Sequence, residues 1–140
     1  MKNYWAERSA LKKLMTKKAL QKLRNSTPSS SHCDLSKTTT KKDEYEKLYI
    51  ALHSASHKMV AGGGEFPVWL AIPTWVATLF SKVTGQQYTP NKNEVEYIGT
   101  LNNLFRLYVD PDSPKDVILI GSKWKINGEP LHMDMMTVQS

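Results

Sequence analysis

What is scarce in this chain sets the first limits. A single cysteine, Cys33, stands among 140 residues, so no internal disulfide can form and a thiolate zinc site has no second sulfur. It reads as an incidental thiol. No apolar run approaches the ~18 uncharged residues that a bilayer-crossing helix needs, and residues 1–24 lack the apolar segment of a secretory signal. The expectation is a soluble protein, made and used inside a cell, with no membrane partner. Acidic residues are nearly missing from the front third: residues 1–42 hold Glu7 and Asp34 against eleven Lys/Arg, a net +9. Residues 43–140 reverse the balance, with eleven Asp/Glu against eight Lys/Arg, a net −3. Such asymmetry describes a basic arm on a mildly acidic body and suits contact with a polyanion.

What is present divides the chain into three stretches. Residues 1–24 are rich in Ala, Leu, Lys, Arg and Gln without Gly or Pro, which predicts a basic helical arm over residues 3–24. Leu11, Leu14 and Met15 share a face, but Leu20 and Leu23 drift from it, so the helix is weakly amphipathic. Its candidate nucleic-acid contacts are Arg8, Lys12, Lys13, Lys17, Lys18, Lys22 and Arg24. A solvated lysine face with no ligand is the plainer alternative. Residues 25–42, almost all small and polar, are expected to form a flexible Ser/Thr/Lys linker. Residues 43–140 would then be one α+β domain.

Within that domain, Tyr45, Leu48, Tyr49, Leu52 and Ser56 recur at helical spacing after Asp43 and Glu44, and the helix should stop at Gly62, Gly63 and Gly64. The glycines lack the Gly-Lys-Ser/Thr ending of a phosphate loop. His53 and His57, four apart, could share a metal, but with no Glu after the first and no evident third ligand they read as surface or packing histidines. Val68, Trp69, Leu70, Ala71 and Ile72, bounded by Pro67 and Pro73, predict a strand buried on both faces, followed by a helix that ends before Gly85. Phe105, Leu107 and Val109 alternate with Arg106 and Tyr108 as in a half-buried strand, and Val117 to Gly121 form a second apolar strand. Between them Asp110, Pro111, Asp112, Ser113 and Pro114 have turn chemistry, without the twelve-residue span, glycine and closing glutamate of a calcium loop. No set of acid, base and nucleophile converges, so neither an enzyme nor a cofactor is expected.

Residues 45–124 resemble the C-terminal half of the major capsid (head) proteins of T-even-like tailed bacteriophages. The residues that carry this are Gly99, Thr100 and Leu101 opening a strand, Tyr108, Val109, Asp110 and Pro111 closing the next, Asp116 leading a further strand, and Gly121 and Lys123 ending it. Ser122 stands where that family has an aromatic residue, and Trp124 where it has glycine. The resemblance implies part of the tailed-phage capsid fold, a central sheet flanked by helices, in a fragment or split version preceded by the basic arm. It further implies a structural virion protein, assembled in the host cytoplasm by self-association or with a complementing fragment. The alternative is a small nucleic-acid-binding protein whose arm grips phosphates.

Overall fold

The computed structural model describes residues 15–85, 87–89, 92–122 and 132–140. Along these run α1 (Lys17–Ser26), β1 (Ser29–Asp34), α2 (Lys41–Ala61), β2 (Val68–Ile72), α3 (Thr74–Thr84), β3 (Glu96–Leu101), β4 (Phe105–Val109), β5 (Val117–Gly121) and β6 (Met133–Gln139). The six strands form one mixed sheet in the order β1, β6, β5, β2, β4, β3. The α+β class expected from the sequence is what the chain adopts.

The centre of the sheet follows from β2. All five of its residues are buried, and alternation sends Val68, Leu70 and Ile72 to one face and Trp69 and Ala71 to the other. The first face meets α2 and α3, through Leu48, Leu52, Met59, Val76, Leu79 and Phe80. The second face meets α1 through Leu20, together with Met15 just before the helix, over Trp69, Ala71, Tyr108 and Leu119. The sheet is therefore covered on both sides. β4 lies parallel to β2, and α3 forms part of the crossover between them.

Capping residues explain the helix limits. Thr40 accepts the amide of Asp43 at 3.0 Å, with Asp43 and Glu44 in the first turn of α2, and Gly62 caps its end. Gly85, in the left-handed region at φ 75°, closes α3 where the sequence placed its stop.

Two expectations for the front of the chain need correction. The helix predicted over residues 3–24 is not continuous through Thr16, which is extended and whose hydroxyl accepts the amide of Ala19 at the start of α1, while residues 3–14 lie outside the described residues. The supposed flexible linker contains β1, which pairs parallel with β6. Composition misled there because an edge strand needs only one inward face. Cys33 and Leu35 supply it two residues apart, both buried against the α2 side. Asp134 of β6 fixes the pairing by accepting the Ser31 hydroxyl at 2.6 Å and the Ser30 hydroxyl.

Candidate functional site

The residues that carry the capsid resemblance fall on three joined features: a hairpin, an acidic connection and the end of a central strand. In the hairpin, Gly99 has φ 114° where the pairing of β3 with β4 shifts register after Tyr97. A glycine suits this bulge because it enters positive φ without steric cost. Thr100 is exposed and Leu101 is buried. Asn102 and Asn103 both take positive φ in the reversal that follows, closed by the Leu104 amide on the Leu101 carbonyl at 3.1 Å.

The connection after β4 is a turn, as its Asp and Pro content implies, but it is anchored far more deeply than a surface turn. Asp110 is 0% exposed. Its amide donates to the Ile72 carbonyl at 2.9 Å, and its Oδ1 accepts the Asp112 amide at 2.9 Å. Its Oδ2 accepts Nη1 of Arg24 at 2.7 Å, and the Arg24 side chain is itself only 8% exposed. Removing two charges from water is expensive, and the short, charge-assisted geometry offsets part of that cost. On the other side, the indole of Trp75 in α3 donates to the Lys115 carbonyl at 2.7 Å. The amide of Val138 reaches the Asp116 carbonyl at 2.7 Å. The connection is thus held by α1, α3 and β6 at once. It does not form a hairpin, because β2 separates β4 from β5 in the sheet.

Gly121 has a different cause. It faces Trp69 across the β2/β5 pair, and a Cβ there would lie 2.1 Å from the indole ring. Nε1 of Trp69 donates to the Ser122 carbonyl at 3.0 Å, so the ring is pinned over the glycine. Lys123 lies outside the described residues.

The candidate nucleic-acid contacts divide in the same way. Arg8, Lys12 and Lys13 lie outside the described residues. Arg24 is withdrawn from that role, since its guanidinium is buried against Asp110. Lys17 is half-buried; its ammonium donates to the Lys92 carbonyl at 3.1 Å and stands 3.8 Å from Asp112. Lys18 and Lys22, four apart on α1, are exposed. A signal for the burial was present: Lys17, Leu20 and Arg24 share one helix face, and Leu20 is wholly buried.

Other polar groups complete the electrostatics. Burial raises the Cys33 thiol above its ordinary range. Hydrogen bonds from Ser36 hold the Asp34 carboxyl below its ordinary range. Among the described residues, no three His, Cys, Asp or Glu side chains come together as a metal site, and no helix is long and apolar enough to cross a membrane. The arrangement stabilises backbone: it fixes a hairpin and a turn at the end of a sheet. No family model matches the chain, and searches against curated proteins and solved structures returned no match.

Proposed function

We propose that this chain is a structural subunit of a tailed-phage type of capsid shell, acting by self-assembly and not by turnover. The observation that carries the reading is the order of elements behind the resembling residues. A helix (α2), a glycine turn, an apolar strand followed by Pro73 and Thr74, a short helix (α3), the Gly99 hairpin, a strand leading into the buried Asp110 and a strand ending at Gly121 stand in this order, and this order supports the reading. Its partners are other subunits, either copies of itself or a complementing fragment, in a virion put together in the host cytoplasm. Contacts of this kind are heterologous and close into rings. The terminal strands β1 and β3 and the exposed side chains of Ile50 and Tyr97 offer surface for them.

The test is sedimentation velocity with negative-stain microscopy of the purified full chain at rising concentration. Rings, caps or shell-like particles are expected. A monomer at every concentration would overturn self-assembly. The second reading, nucleic-acid binding, rests on exposed Lys18 and Lys22 within a front third of net +9. Affinity that falls steeply with salt, and is lost in a K18A/K22A variant, would favour it.

A further inference from the structure

On the outer side of α2 the two histidines of the sequence come into register. The Nε2 atoms of His53 and His57 lie 3.1 Å apart. Two imidazole nitrogens bound to one divalent ion at about 2.0–2.1 Å, in cis positions of a tetrahedral or square arrangement, are separated by about 2.8–3.4 Å. The observed span is that of a chelating pair.

The rings are also held in place before any ion arrives. His53 stacks on Tyr49, with centroids 6.0 Å apart, and the Tyr49 hydroxyl accepts Nδ2 of Asn102 at 3.0 Å. The edge-to-face packing of His57 on Phe66, at 5.1 Å, closes the other end. A shallow depression along this face leaves the pair open to solvent beside Ser54 and Lys58.

We propose that His53 and His57 form a two-histidine site for a borderline divalent cation such as Cu²⁺, Ni²⁺ or Zn²⁺, with the remaining positions filled by water. Imidazole nitrogen suits these ions, whereas Ca²⁺ and Mg²⁺ require oxygen donors. Binding needs the lone pairs on both Nε2 atoms. The proton shared between them in the free protein therefore moves to Nδ1 of its ring. Lys58 is the charged side chain that lines the depression; it is exposed, and its ammonium opposes the cation. The site does not depend on whether the chain assembles.

Calorimetric titration of the full chain with NiCl₂ tests this. One ion is expected per chain, with affinity about tenfold or more weaker in each of H53Q and H57Q, because a second ligand already in place binds at high effective concentration. An H32Q variant is expected to match the parent, and CaCl₂ to give no heat. In proton NMR, paramagnetic Ni²⁺ should broaden the ring signals of His53 and His57 before those of His32. Equal affinity in H53Q and the parent, or equal broadening at His32, would overturn the site.

Discussion

The two faces of the sheet are built on different terms. The face under α2 and α3 is covered by two helices over a broad apolar cluster. Among the described residues, the face under α1 is covered by one ten-residue helix, a small cluster around Trp69 and the buried Arg24–Asp110 ion pair. Burial on the first face is shared among many side chains, whereas the cover on the second rests on a few specific contacts. The comparison shows how a chain with a lysine-rich front third can still use part of it as structure. Leu20 and Arg24 turn inward while Lys18 and Lys22 face solvent.

The largest expected effect comes from the tightest contact on the α1 face. Gly121→Val would drive two methyls into the pinned Trp69 ring. A loss above about 4 kcal/mol is expected, read as the absence of a cooperative thermal transition by circular dichroism. Next is Asp110→Ala, which strands the buried Arg24 charge and removes the acceptor of the Asp112 amide. About 3–5 kcal/mol should be lost in urea unfolding, with the R24M/D110N pair recovering more than half of it.

Leu20→Ala and Leu52→Ala set the faces directly against each other. Both side chains are fully buried, so each change should cost about 2–5 kcal/mol. The location of the damage should differ. Amide exchange in L20A is expected to rise mainly across residues 17–34, while L52A lowers protection throughout the sheet. Ser31→Ala, removing one of the hydroxyls on Asp134, should cost about 1 kcal/mol and show as faster exchange confined to β1.

The smallest effect concerns Cys33. Burial holds its thiol high, so the reactive thiolate is depleted in the native state. The folded value lies above the unfolded one, and the stability linked to this group is present below the unfolded value and lost as pH rises through the folded one. A chromogenic disulfide reagent at pH 8 should therefore react slowly with the native protein and rapidly after unfolding in urea.

The α2/α3 face could be seen in the sequence because periodicity alone builds it. The prolines around β2 and Gly85 after α3 mark boundaries that the fold keeps. The α1 face was hidden for a physical reason. Its helix is seated by Leu20, Leu23 and Arg24, interleaved with lysines that dilute the apolar stripe. β1 was masked by serines whose partner, Asp134, lies more than a hundred positions away. Pairing between distant strands leaves no local trace beyond the spacing of Cys33 and Leu35. At the site, the turn at Asp110 was legible from its own residues, but its depth was not, since that depends on Arg24. Gly121 stood out by resemblance, and its reason is Trp69, which no pattern around the glycine reveals.

The most direct test of the capsid reading is a density gradient on particles from the source, with peptides from residues 15–34 and 41–122 quantified by mass spectrometry. The account predicts both segments in the particle band, in equal amounts and in stoichiometric proportion to the shell. Absence from the band, with the protein free or bound to nucleic acid, would contradict it.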